Sequence, residues 1–552
     1  MKVRITSVIL IIMMVFTLNI SPVFASADSV FNVLDYGAKG DGVTDDAAAI
    51  QTAVNAAGEK GGIVFFPQGT YRVTSGIKLK SNLSISGSNN GFSRIVTTQS
   101  GKDEAVFSGF EVSQVSISGL TFSGSSDAVY AVKTVNCFNI SVCDNIIETL
   151  GAALFDTYNK DEDSILATND ALSVKNNICK GSEKGCAVTV KNCNGSIVTG
   201  NTFEGYASGV VFETTDGSEE SGLPSFSHNT CSDNTFTNIK EMGIYINESE
   251  MMAVTNNVIK NNKTGICVLN SANITISANN ITDCSDSGIK LTAGCEGITI
   301  NANTIRNDVA GASLMQVGVS GETVRNESVN IHSNSFHEFG DGCAHIFGGN
   351  TKSLSVTNNH FYNCYVDFST GNLDTAIFGG NQMVFEGAST STVTALNMGG
   401  TSNGGQLMIQ NNQILNADIT NMGKSAVVVR QNDKSKSSVT HIKGNTIRGF
   451  QSSLRLLADS PNPKVAPVFF VKNNTFDGTF LREEGTTQSS KLVFEDNITA
   501  DGTNYLREIP SFGKWDKGQI LYFENPAPGE YAGAICIAKG TPGIWKKFGK
   551  IE

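Results

Sequence analysis

Asn273–Leu291 reads NITISANNITDCSDSGIKL, and Gly297–Asn307 repeats its opening as GITINANTIRN. In the first copy Ile274 and Ile276 alternate with polar residues, the pattern of a short strand with one buried face. An Asn-bearing turn follows, then a second short strand through Ile281, a loop, and a third strand at Gly288-Ile289-Lys290-Leu291. Three short strands in roughly 23 residues make one coil of a parallel β-helix, in which each coil buries its apolar face on the next.

Outward from this copy the pattern recurs at Phe122, Ile147, Ile178, Phe203, Phe236, Ile259, Ile281, Ile305, Phe336, Phe361, Met383, Ile414, Ile447, Phe476 and Ile498. Eight of the fourteen intervals are 22 to 25 residues and six are 29 to 33, so one unit repeats and some copies carry an extra loop. An Asn stands two residues before the landmark at Asn145, Asn201, Asn234, Asn303, Asn334, Asn359, Asn412, Asn445 and Asn474. Stacked about 4.8 Å apart, such amides bond to one another and to turn backbone, so they read as a structural ladder. The expected fold is all-β: a single-stranded, right-handed parallel β-helix with an N-terminal capping helix and a small C-terminal β module. A leucine-rich-repeat solenoid needs a Leu-rich consensus and a helical segment per repeat, and a β-propeller needs longer blades.

Composition agrees. The 552 residues include 56 Gly and only 10 Pro, as many short strands joined by tight turns require. Residues 1–27 open with Lys2 and Arg4, continue through an apolar run from Val8 to Ile20 and end on Ala25-Ser26-Ala27, which reads as a signal peptide. The mature chain is thus expected to be secreted, with no membrane span. Its net charge of −12, or about −14 without the signal, argues against nucleic acid. Of the twelve Cys, residues such as Cys186, Cys267 and Cys343 sit in apolar strand-like runs, so most are expected as buried small residues in stacked rows, with a few disulfides left open.

An open β-helix end exposes unpaired backbone and must be covered. After FNVLDYGAKGDG from Phe31, Thr44 is positioned to cap a helix over Ala47 to Ala57, with Asp45 and Asp46 in its first turn and Ile50 and Val54 on its buried stripe. Gly61-Gly62 ends it, and Ile63–Phe66 reads as the first strand. The β-helix is expected over 28–505, with its cap at about 31–73, and the separate β module over 509–552, where Trp515 and Trp545 lie.

The run DYGAKGDGVTDDAAAIQTAVNAA and the following GGIVFFPQGTY resemble the opening of the pectate-lyase-like superfamily of β-helix proteins, which includes polygalacturonase and rhamnogalacturonase relatives, epimerase-like lyases and phage tail-spike depolymerases. The resemblance spans about Phe31 to Val73. It implies the fold and a polysaccharide partner, with a homotrimer left open. The motifs that carry catalysis in polygalacturonases and mannuronan epimerases have no counterpart here, since the Asp45-Asp46 pair belongs to the cap.

Candidate chemistry comes from stacking. Aligning the third strand of successive coils on its leading small residue gives ALFD ending at Asp156, VTVK at Lys191, VVFE at Glu213 and IYIN at Asn247. This puts Lys191 between two carboxylates, an arrangement open to an inverting glycoside hydrolase or to a lyase with Lys191 or Tyr158 as base. Asn247 and Lys290 are the expected substrate-binding residues. The extra loops TYNKDEDSILATND from Thr157 and TTDGSEESGLPSFSHN from Thr214 would wall a groove, and Asp161, Asp163 and Asp170, with Glu162, offer oxygen ligands for Ca²⁺. A second cluster comprises His332, His337, Glu338, Asp341 and His345. The functional expectation is a secreted polysaccharide lyase or glycoside hydrolase, and the competing one a non-catalytic glycan-binding or spike-like surface protein.

Overall fold

The computed structural model describes residues 30–552 apart from short stretches, the longest being 158–168 and 215–226. Three parallel sheets run the length of a right-handed β-helix, with 18, 18 and 16 strands among the described residues. Each coil gives one strand to each sheet. Thr275–Ser277, Asn280–Thr282 and Ser287–Leu291 are the three strands of the stretch that set the reading, as its periodicity required.

Side chains inside the coil stack in rows. In the second sheet the row is Phe122, Ile147, Cys179, Phe203, Phe236, Ile259, Ile281, Ile305, Phe336 and Phe361, every member buried. Two of the sequence landmarks move by one. Cys179, not Ile178, fills the inward place, and Thr499 pairs with Phe476, leaving Ile498 61% exposed. Alternation alone could not separate the adjacent Ile178 and Cys179, because both are apolar. The described cysteines are free thiols and mostly buried, as the stacked-row reading expects; Cys343 lies outside the described residues.

The turn between first and second sheets explains the Asn repeats. From Asn145 to Asn497, each Asn Nδ2 donates to the Oδ1 of the equivalent Asn one coil on, at 2.8 to 3.1 Å. Asn177, Asn257, Asn279, Asn381 and Asn497 complete the ladder beyond those read from the repeats. The residue before each ladder Asn is left-handed, for example Asp144 at φ 56°, Asn256 at 57° and Gly444 at 68°. Asn, Asp and Gly tolerate that conformation best, which accounts for the Asn-Asn and Gly-Asn pairs along the chain.

At the N-terminus, helix Ala47–Lys60 buries Ile50, Ala53, Val54 and Ala57 over the first coil. Its cap differs from expectation. Asp46 is the N-cap, and its carboxylate accepts from the backbone N–H groups of Lys39 and Gly40, while Thr44 donates its hydroxyl to Asp41. The loop needs those carboxylates more than the helix does: Asp46 is almost fully buried, so its charge is held by backbone donors.

At the other end Asn504–Leu506, Ile520–Phe523, Tyr531–Ala538 and Ile544–Lys550 form a four-stranded sheet, antiparallel over its last three strands. Trp515 is 2% exposed, with its ring 6.1 Å from Phe494 of the last coil and 5.1 Å from Trp545. Its ring is thus packed between the last coil and the C-terminal sheet. Among the described residues no helix is long and apolar enough to cross a membrane.

Candidate active site

Three of the residues singled out from the repeats fall into one column. Lys191, Glu213 and Asn247 end the strands Cys186–Lys191, Ser208–Glu213 and Met242–Asn247, and they pair in register, Lys191 with Glu213 and Glu213 with Asn247. Buried Val190, Phe212 and Ile246 precede them, so strand alternation turns the three polar side chains to the outer face of the third sheet, where each is half-buried. The coil spacing puts their backbone positions about 4.8 Å apart. Neither Lys191 nor Glu213 closes an ion pair among the described residues.

Asp156 does not join them. It pairs with Val190, and Thr157 is the residue opposite Lys191. The expected Asp-Lys-Glu column is therefore Thr157-Lys191-Glu213-Asn247, with no second carboxylate in register above Lys191 among the described residues. The cause is register: Leu154 stacks on Val188, and this places Asp156 between Thr134 and Val190, which are both buried. Tyr158, Asp161 and Asp163 lie outside the described residues. Asp170 pairs through its backbone with Asn194, and its side chain is outside them as well.

Sequence reading missed Tyr245, two residues before Asn247 on the same outer face. Burial raises its phenol pKa, and the negative charges of Cys267, Glu213 and Glu248 add to the shift. The signal was there in Ile244-Tyr245-Ile246-Asn247, whose alternation turns Tyr and Asn the same way. Thr214, directly after Glu213, is 5% exposed; its Oγ1 and the Oδ1 of Asn247 have no hydrogen-bond partner among the described residues. Both atoms are buried beside Glu213, next to the stretch 215–226, which lies outside the described residues.

Lys290 lies farther along the same face but in the Tyr245 column, which runs Tyr245-Cys267-Lys290-Gln316. Its ammonium is 3.3 Å from Asp286. Cys267 and Gln316 are buried although they occupy outer positions, so the face is half-open from Lys191 to Asn247 and beyond it is open only at Lys290 in this column. Burial pushes the Cys267 thiol up to about 11 despite the opposing Lys290 charge, so it is no nucleophile at neutral pH.

The histidine cluster divides between sheets. His332 ends a strand of the first sheet, while His337 lies on the second, where its ring is 5.7 Å from His360 and 6.1 Å from Tyr362. Desolvation, then the nearby His360 and Arg306 charges, lowers the His337 pKa. Glu338 is buried opposite Asn307, and Asp341 and the His345 side chain are outside the described residues. Among the described residues no three His, Cys, Asp or Glu side chains could hold a metal.

Comparison with known proteins follows the fold closely and the site less so. The pre-mature form of bacteriophage phi29 gene product 12 aligns with a TM-score of 0.53 over 94% of this chain and 80% of its own, at 14% identity, a likeness of fold alone. Mannuronan C5-epimerase AlgE2 of Azotobacter vinelandii is 40% identical over 111 residues, which is 18% of this chain and 11% of the epimerase. Plasmin and fibronectin-binding protein A of Streptococcus pneumoniae is 53% identical over 57 residues, 10% of this chain and 8% of that protein. The chain thus spans about a tenth of the length of these curated relatives. Residues 30–290 match the family model "Rhamnogalacturonase A/epimerase, pectate lyase-like", a span that contains the cap helix, Lys191, Glu213, Tyr245, Asn247 and Lys290. Over residues 30–290, just under half of its length, the chain is similar to this pectate lyase-like family.

Proposed function

We propose that this protein is a secreted carbohydrate-active enzyme that cleaves a uronate-containing polysaccharide by β-elimination on the outer face of its third sheet. The observation that carries the reading is the in-register column Lys191-Glu213-Asn247 with Tyr245 alongside. Lys191 neutralises the uronate carboxylate, which acidifies the adjacent C–H and stabilises the charge that develops when the proton leaves. Glu213 accepts that proton. Tyr245, kept protonated by its raised pKa, donates to the departing glycosidic oxygen. Asn247 and Lys290 bind neighbouring units of the chain.

Register favours elimination over inverting hydrolysis, because the latter needs a second carboxylate across the column and Thr157 stands there. The relative named an epimerase and another named alginate lyase 7, 39% identical over 111 residues, support uronate as the substrate class. Ca²⁺ held by Asp161, Asp163 and Asp170 belongs to the same proposal. The test incubates the mature protein with polymannuronate, polygalacturonate and neutral glycans, with and without chelator. Unsaturated, shortened products that disappear in Lys191→Ala support it, and binding without shortening on every polymer supports the non-catalytic reading that the match to a fibronectin-binding surface protein favours.

A further inference from the structure

A second groove opens at a different corner of the coil, where strands of the second sheet turn into those of the third. Its volume is about 550 Å³, and Lys180, Glu183, Glu204, Asn238, Lys240 and Asn261 line it. These residues come from four successive coils, so the groove runs about 14 Å along the axis. Lys191 and Glu213, by contrast, stand at the far ends of the third-sheet strands, where the chain leaves for the next coil.

The groove has a fixed wall. Gly181 meets the next coil so closely that a Cβ there would lie 2.7 Å from the Gly205 carbonyl and from the buried Tyr206 ring. Glu183 holds a left-handed backbone at φ 68°, with its N–H bonded to the Gly205 carbonyl at 2.6 Å. Its carboxylate pairs with Lys240 at 2.9 Å. Lys180 and Glu204 pair in register on adjacent strands, yet neither closes an ion pair among the described residues. Glu148, the other neighbour of Lys180, is drawn off to Arg94 at 3.3 Å.

We infer that this groove binds a neutral, hydroxyl-rich stretch of glycan, separate from the cleavage site. Two ammonium groups, two carboxylates and two amides sum to no net charge. They alternate acceptors for hydroxyl protons with donors to hydroxyl oxygens, as neighbouring pyranose hydroxyls demand. Glu183 and Glu204 disfavour a uronate stretch, and Lys180 and Lys240 disfavour a metal ion. The groove rests on the carbohydrate reading of the chain but not on its cleavage chemistry. Because both sites sit on one rigid coil, a polymer held here is kept at high local concentration near the third sheet.

The test is affinity electrophoresis of the full mature chain through gels containing soluble β-glucan, galactomannan, arabinogalactan or polymannuronate. The wild type is expected to be retarded by at least one neutral polymer. The double variant Lys180→Met/Glu204→Gln and, independently, Lys240→Met should weaken that retardation at least about tenfold, the scale of one or two lost charge-assisted bonds. The control Lys352→Met, at an exposed ion pair on the first sheet, should be retarded as the wild type is. Wild-type migration unaffected by all three neutral polymers, or full retardation of both groove variants, overturns the inference. Failure of the cleavage reading shows separately, as absence of shortened uronate product while neutral-gel retardation persists.

Discussion

Asn279 Oδ1 accepts two hydrogen bonds from Asn257, from its side-chain Nδ2 at 2.9 Å and from its backbone N–H at 2.9 Å. Replacing Asn279 with Ala strips both, leaving two buried donors of Asn257 unmet at about 1–3 kcal/mol each. We expect Asn279→Ala to lose roughly 2–5 kcal/mol in urea unfolding. At the end of the ladder, Asn497→Ala should lose less, since that site is only part-buried and its neighbours can reach water. Equal losses at the two sites would mean that the ladder is not cooperative along the coil.

Ala278 and Ala302 occupy the left-handed position before the ladder Asn, both at φ 55°. An L-residue without a polar side chain carries about 1–2 kcal/mol of strain there. Ala278→Gly removes that strain against a smaller entropic cost, so thermal unfolding should shift upward by the equivalent of about 0.5–1 kcal/mol. A downward shift would show that the methyl group contributes packing that the backbone geometry does not reveal.

At the column, Lys191→Ala and Glu213→Gln should each lower kcat/KM on the cleaved polymer by about 10²–10⁴, the range for loss of a positioned acid-base or charge-stabilising group. Tyr245→Phe should lower kcat more than it changes KM. Asp156→Asn, one register step off the column, should leave cleavage far less affected than Glu213→Gln does. Steady-state kinetics on the four variants separates these expectations.

Burial raises the thiols of Cys186 and Cys267 to about 11 and that of Cys284 to about 12, against an ordinary value of 9.0. For an acid whose folded pKa is raised, the unfolded chain loses its proton first. The stabilisation is complete below pH 9 and is lost as pH rises through 11 to 12. Unfolding midpoints should therefore hold from neutral pH to about 9 and fall beyond it. A thiol reagent at pH 8 should modify these residues only after denaturant is added.

Much of this architecture was legible because period and face are written in residue type. Ile274 and Ile276 give the strand, Asn279 the turn, and Ile50 and Val54 the cap helix. Lys191, Glu213 and Asn247 were found for the same reason: each follows a large buried residue, so alternation fixes its face. Asp156 was misplaced where that signal fails, because Ala152 and Ala153 open its strand and small residues mark neither face. The left-handed turn position was invisible as such, since Ala278 and Ser333 adopt it alongside Asn, Asp and Gly. The Lys180 groove depends on which side chains the coils bring together at a corner, and no single repeat contains that information.

Every link of the Asn ladder points the same way, with the donor on one coil and the accepting oxygen on the coil made after it. A ribosome delivers the acceptor later than the donor. The growing coil stack therefore always ends in an amide that awaits the next turn of chain, and its most recent rung is secured only when synthesis has moved one rung further. A chain cut between coils would thus leave an amide donor unmet at its end.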